Sequence, residues 1–179
     1  SGTAVIVSYG ETYIGQKSEG TKLVNGNLNN TEFIITNGKI EPLALQIQVN
    51  KTIDGNIPED GKFKFLMTGK GQGGADFHQI AYNDKYGLVT FKKMVYDTPG
   101  TYEFTISEVV GEDKSIVYDG KVYNIKIIVS EDKTAGVYNA EIFVNDNILG
   151  TYTGEEDKVK LIDIGSFVNT TRSDGKIQL

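Results

Sequence analysis

The chain has no cysteine, no tryptophan, one histidine, three prolines and two methionines in 179 residues. Without cysteine there can be no disulfide, no thiolate nucleophile and no Cys-ligated zinc. With a single histidine, Ser-His-Asp catalysis could rest only on His78, which follows Gly69, Gly71, Gly73 and Gly74 and reads as an exposed loop residue. That glycine-rich stretch lacks the Gly-Lys-Ser/Thr ending and following helix of a phosphate loop, so a flexible loop is expected. Basic residues are also scarce, 18 Lys+Arg against 24 Asp+Glu for a net charge of −6. The lysines are scattered among acids, which argues against a nucleic-acid partner. No window approaches the roughly 18 uninterrupted apolar residues of a membrane helix, and no signal-peptide pattern opens the chain. The expectation is a soluble segment without membrane insertion, any targeting signal lying outside it.

What is present is foldable: 39% hydrophobic residues, 10 Tyr, 8 Phe and 23% charge, enough for one globular domain, or one domain with an appendage. Apolar residues recur every second position, and the runs are separated by clusters of Gly, Asn, Asp and Pro, the pattern of short antiparallel strands. Strands are expected over 4–9, 31–36, 43–53, 61–68, 87–91, 100–110, 121–130, 137–144 and 159–170, with no long amphipathic helix. This spacing predicts an all-β fold, an immunoglobulin-like β-sandwich over 43–179. Residues 1–42, rich in Gly, Asn, Thr and Ser, read as an N-terminal β-rich extension. Asp97-Thr98-Pro99-Gly100, Tyr118-Asp119-Gly120 and Asn145-Asp146-Asn147 read as turns, connections and not sites; Glu155-Glu156-Asp157 reads as a solvated turn.

Because alternate side chains of a strand share a face, parity shows which positions point inward. In 43–53 the apolar row is Leu43, Leu45, Ile47, Val49 and Ile53, and Lys51 falls on it. Lys62, Lys64 and Lys126 are out of phase with their apolar neighbours and face water. In 102–110 the row Tyr102, Phe104, Ile106 and Val110 includes Glu108. Near the end of the chain Val159, Leu161, Phe167 and Asn169 share a parity, while Ile162 and Ile164 break it, so Gly165 is a candidate bulge that shifts register.

Burying an isolated charge is costly, so these three misfits are expected to share one pocket. Two readings follow. One is a buried Lys-Glu ion pair capped by an amide, which gains little after both charges are desolvated. The other is chemistry: an apolar pocket favours a neutral amine beside a neutral carboxylic acid. Glu108 would hydrogen-bond the Asn169 side-chain carbonyl and shuttle protons as the Lys51 amine attacks and ammonia leaves. The product is an amide between Lys51 and Asn169, formed once, with Glu108 catalytic and no cofactor or metal required. Alignment within a rigid sandwich supplies the effective molarity.

The segments 48–52 (Gln-Val-Asn-Lys-Thr), 102–109 (Tyr-Glu-Phe-Thr-Ile-Ser-Glu-Val) and 167–169 (Phe-Val-Asn), with the aromatic-rich 116–119 and 123–127 between the last two, resemble the isopeptide-forming pilin domain of Gram-positive bacteria, the FctA-like streptococcal major pilin family. The resemblance covers about residues 43–171. It implies a lysine on the first strand, Lys51, joined to an asparagine on the last, Asn169, assisted by Glu108 on a central strand. It further implies an extracellular protein of the cell wall or pilus, a pilin subunit or adhesin-stalk domain. The implied partners are other pilin subunits or stalk modules, a host surface ligand, and sortase through a signal outside this chain.

Other readings remain at this level. Asp163 shares parity with Val159 and Leu161 and is a second candidate acceptor, with loss of water in place of ammonia. A carbohydrate- or protein-binding β-sandwich adhesin module without a cross-link would use Tyr82, Tyr86, Tyr96 and Tyr152 as a recognition patch. A hydrolase with paired carboxylates finds no constellation separable from surface charge. A Ca²⁺ site at Asp146 or Asp157 lacks a full set of oxygen ligands at recognisable spacing.

Overall fold

The computed structural model describes residues 40–173 and the backbone of two strands nearer the N-terminus, β1 (Ala4–Ser8) and β2 (Thr12–Gln16). The chain divides into two compact units, Ser1–Lys39 and Ile40–Leu179. In the first, β1 and β2 pair antiparallel. The expected strand at 31–36 lies outside the described residues.

The second unit is an immunoglobulin-like sandwich. Its strands are β3 (Leu43–Ile53), β4 (Lys64–Lys70), β5 (Asp76–Tyr82), β6 (Leu88–Thr90), β7 (Met94–Tyr96), β8 (Gly100–Glu108), β9 (Ile116–Val117), β10 (Val122–Asp132), β11 (Val137–Val144), β12 (Asn147–Thr153) and β13 (Val159–Thr171). One sheet has the order β12-β11-β10-β8-β4-β5; the other has the order β6-β3-β13-β9, with β7 also on β3. Glu41 already exchanges backbone hydrogen bonds with Gly136 and Tyr138, so the sandwich engages the chain before Leu43.

The alternation seen in sequence becomes the core. Along β3, Leu43, Leu45, Ile47 and Val49 are buried; along β8, Tyr102, Phe104 and Ile106; along β10, Tyr123, Ile125, Ile127 and Val129. Aromatic edges lock the centre: Phe167 packs T-shaped on both Phe65 and Tyr123 at 5.2 Å between centroids, an arrangement worth about 1 kcal/mol each beyond area burial. The first and last strands of the sandwich, β3 and β13, lie side by side and parallel.

Several expectations are corrected. The glycine-rich segment is not a flexible loop throughout: β4 runs on through Gly69 to Lys70, a short turn covers Gln72–Gly74, and β5 follows. His78 is exposed, as expected, but stands on β5 and not in a loop. The tyrosine patch does not assemble, since Tyr96 is buried in the core and Tyr152 is half-buried, leaving Tyr82 and Tyr86 exposed.

Gly69 shows why a glycine is needed within β4. A Cβ there would lie 2.1 Å from the Glu103 carbonyl oxygen and 2.7 Å from Phe104 Cδ1. Gly69→Ala is expected to destabilise the sandwich by ~1–3 kcal/mol, the usual cost of overpacking, read as a lowered midpoint in urea unfolding.

Candidate functional site

Four polar or charged residues are buried among the described residues: Lys51, Asn83, Glu108 and Asn169. Asn83 has an ordinary structural explanation. Its Oδ1 accepts the Phe63 N–H at 2.7 Å, and its Nδ2 donates to the carbonyls of Glu59 and Asp84, so every polar atom is satisfied and the entry to β4 is pinned. The other three converge on one point between the sheets.

Lys51 comes from β3 and Asn169 from β13, neighbouring strands of one sheet, in a register that pairs Lys51 with Phe167 and Asn169 with Ile53. Glu108 ends β8 on the facing sheet. The Lys51 Nζ is 2.9 Å from Glu108 Oε1, with both side chains fully buried. Asn169 Nδ2 donates to the same Oε1, also at 2.9 Å. Apolar rings complete the pocket: Nζ stands 4.8 Å from the centroid of Phe63 and 5.9 Å from that of Phe65.

Nζ is the one buried side-chain polar atom among the described residues without a hydrogen bond of good geometry; what it has is the 2.9 Å ion-pair contact with Glu108. Burial therefore holds the Lys51 amine below its ordinary value of 10.5, against the opposing attraction of Glu108. A lowered pKa makes the neutral, nucleophilic amine accessible.

The parity of β13 depends on Gly165. Before it, Ile162 and Ile164 are buried while Val159, Leu161 and Asp163 face out; after it, Phe167 and Asn169 are buried. Gly165 has φ +143°, and the ladder with β3 slips by one residue between Asp163 and Ser166, which is a β-bulge. Asn169 thereby turns inward. Asp163 is left on the outer face, where it accepts a hydrogen bond from Asn50 at 3.0 Å. The parity it shares with Val159 and Leu161 is the exposed one, so Asp163 does not share the pocket of Lys51 and Glu108.

Sequence reasoning missed two contributors. Tyr123, buried in β10, plugs the bulge: its hydroxyl donates to Ser166 C=O and accepts from Ser166 N–H, both at 2.9 Å. A Cβ on Gly165 would come within 2.5 Å of that hydroxyl. The other is Asp119, whose segment was expected to be a connection only. Its backbone N–H donates to Asn169 Oδ1 at 2.8 Å and to Glu108 Oε2 at 3.1 Å. Glu108 therefore faces the amide nitrogen of Asn169, and not the carbonyl as expected from sequence; the carbonyl oxygen is held by Asp119. No signal in the pattern of apolar residues marks a backbone donor, whereas a tyrosine in phase with a core strand and aimed at a glycine bulge could have been suspected.

Tyr123→Phe removes both contacts to Ser166 and is expected to cost ~1–2 kcal/mol, because Ser166 is partly open to water. The loss is measurable by denaturant unfolding. Gly165→Ala, opposed by both φ and the Tyr123 hydroxyl, should cost more than Tyr123→Phe.

Residues 47–170 match the family described as FctA, Spy0128-like isopeptide containing domain. Among solved structures, the chain is similar to the major pilin from Streptococcus pyogenes, at 14% identity and TM-score 0.36, over 73% of this chain and 51% of that one. A mutant of the same pilin matches at 11% identity and TM-score 0.35, over the same shares. The chain thus spans about half the length of the pilin it matches. No curated protein matches it. No helix among the described residues is long and apolar enough to cross a membrane. With the match extending across most of the sandwich, from β3 to β13, the chain belongs to the FctA family of Spy0128-like isopeptide-containing domains.

Proposed function

We propose that the sandwich is a structural domain of a Gram-positive surface pilus or stalk, stiffened by an autocatalytic amide between Lys51 and Asn169. One observation carries this reading: Glu108 Oε1 lies 2.9 Å from Nζ, the nitrogen that must lose protons, and 2.9 Å from Nδ2, the nitrogen that must gain one. In the reaction, Glu108 takes a proton from the Lys51 ammonium. The neutral amine adds to Asn169 Cγ, Glu108 passes its proton to Nδ2, and ammonia leaves. Glu108 then takes the remaining extra proton from Nζ. Each chain reacts once, so Glu108 serves a single turnover and the protein is not an enzyme in the ordinary sense.

The environment supports the direction of change. Reactants include a buried amine and acid that are costly to hold as ions; the product is a neutral amide among Phe63, Phe65 and Phe167. The gain is also mechanical. Lys51 lies in the first strand of the sandwich and Asn169 in the last, adjacent and parallel, so load entering through β3 and leaving through β13 passes across the amide without extending the strands between. By the chain-entropy estimate for disulfides, closing a loop of roughly a hundred residues adds ~4–5 kcal/mol. In this reading the cross-linked domain is the second unit, Ile40–Leu179, so it begins a few residues before the boundary at 42/43 expected from sequence. Neighbouring pilus or stalk subunits, sortase and a host surface are its partners outside the cell.

Intact mass tests the proposal. The wild-type chain should weigh ~17 Da less than its sequence requires, the mass of ammonia, while Lys51→Ala and Glu108→Ala should show full masses after allowing for the substitution. A wild-type chain at its unmodified mass would refute it.

A pH effect follows from the lowered Lys51 pKa. In Asn169→Ala the amine stays free, so between its lowered folded value and 10.5 the folded chain binds fewer protons than the unfolded chain. Its stability should rise with pH through that window. In wild type the amide has removed this titration. The stability gap between the two, followed by urea unfolding, should therefore narrow as pH climbs toward 10.5.

A further inference from the structure

Addition of Nζ to Cγ places negative charge on Asn169 Oδ1, and the Glu108 oxygen nearest Asn169 is engaged with Nδ2 on the other side of the amide. The group facing Oδ1 is the backbone N–H of Asp119, at 2.8 Å. We propose that the Asp119 peptide N–H is the oxyanion donor of the cross-linking step and that the Asp119 carboxylate is the positioning group that aims it. This rests on the Lys51–Asn169 reading above and adds to it a second functional element, on a segment that otherwise looks like a simple turn.

The case is geometric. Asp119 lies between β9 and β10, and its side chain ties this connection to the strand that carries the acceptor. Oδ2 accepts the N–H of Val168, the residue just before Asn169, at 2.8 Å, and Oδ1 accepts the N–H of Lys121 at 2.9 Å. Lys121 reinforces the same junction, its Nζ donating to Ser166 C=O at 2.9 Å. Donor and acceptor therefore belong to one hydrogen-bonded unit and need not be brought together when the reaction starts. Burial pushes the Asp119 carboxyl up, but the Val168 and Lys121 N–H groups together with the positive charges of Lys121 and Lys51 outweigh it and hold the carboxyl below its usual 3.8, so it stays an acceptor at neutral pH.

The electron count is simple. As the Nζ–Cγ bond forms, the carbonyl π pair moves onto Oδ1, where the N–H holds it. The pair returns when the Cγ–Nδ2 bond breaks and ammonia departs with the proton carried by Glu108. A fixed donor aimed at the oxygen is stronger toward the anion than toward the neutral amide, so it lowers the barrier more than it stabilises the reactant. The same N–H also reaches Glu108 Oε2 at 3.1 Å, which orients the proton shuttle beside the bond being made.

The experiment follows the cross-link in real time. Full-length chain is made by cell-free synthesis, translation is stopped, and loss of 17 Da is timed by intact mass. In one chain the Asp119 amide is replaced by an ester, using the α-hydroxy analogue of aspartate, which deletes the N–H and keeps the side chain. Removal of one oxyanion donor should slow the reaction by roughly 10²-fold. Asp119→Ala, which keeps the N–H but frees the turn, should slow it by less, and Asp119→Asn, which retains an acceptor oxygen for Val168, should recover most of the rate. Resistance to limited proteolysis identifies folded chains, and the Ala and Asn pair decides the matter if the ester chain is protease-sensitive. Ester and Ala chains that react at the wild-type rate would overturn the inference while leaving the cross-link standing. A wild-type chain that never loses 17 Da would overturn the parent reading instead.

Discussion

A single carboxylate oxygen organises this domain. Glu108 Oε1 stands 2.9 Å from the Lys51 amine and 2.9 Å from the Asn169 amide nitrogen, deep between two sheets. Left unreacted, such a triad is a poor way to stabilise a core: desolvating an ammonium and a carboxylate roughly cancels their attraction, and apolar residues of similar size would do as well or better. Asn83, the other buried polar side chain of the described residues, has all its hydrogen bonds met. Lys51 Nζ does not. A group kept at this cost, sharing one carboxylate oxygen with an amide nitrogen, makes sense as a reactant.

The rest of the sandwich serves that meeting. The parallel pairing of β3 and β13 puts Lys51 and Asn169 on adjacent strands, two residues apart in register, while β8 brings Glu108 from the facing sheet. The bulge at Gly165 turns Asn169 inward, and the Tyr123 hydroxyl takes up the backbone groups that the bulge releases. Asp54 adds a clasp just beyond the site. Its N–H donates to Asn169 C=O at 3.0 Å, and its carboxylate accepts from both the N–H and the hydroxyl of Thr171. The ends of the two strands are thus held together by contacts separate from the Lys51, Glu108 and Asn169 side chains.

Much of this was legible in the sequence, for a definite reason. Lys51 and Glu108 sit on long central strands whose apolar alternation is regular, so a polar residue in phase with the core is visible as a misfit. Asn169 was legible through Phe167, two residues before it, whereas Val159 and Leu161, read on the same row, are exposed because the bulge at Gly165 shifts the register. Strand β2 of the first unit was not seen, nor were β5, β7, β9 and β12 of the sandwich: the sandwich four are short or lie at sheet edges, and edges such as β5 and β12 bury almost nothing, so they carry no alternating signal. The Asp119 N–H was invisible for a different reason. A backbone donor belongs to every residue except proline, and only the fold selects the one that meets Asn169 Oδ1.

The most direct measurement is a tryptic peptide map of the purified domain. An amide at Lys51 blocks cleavage there, so the account predicts one branched species, residues 40–62 joined through Lys51 to residues 161–172 through Asn169, weighing ~17 Da less than the two peptides together. Recovery of 40–51, 52–62 and 161–172 as separate linear peptides at unmodified masses would contradict it.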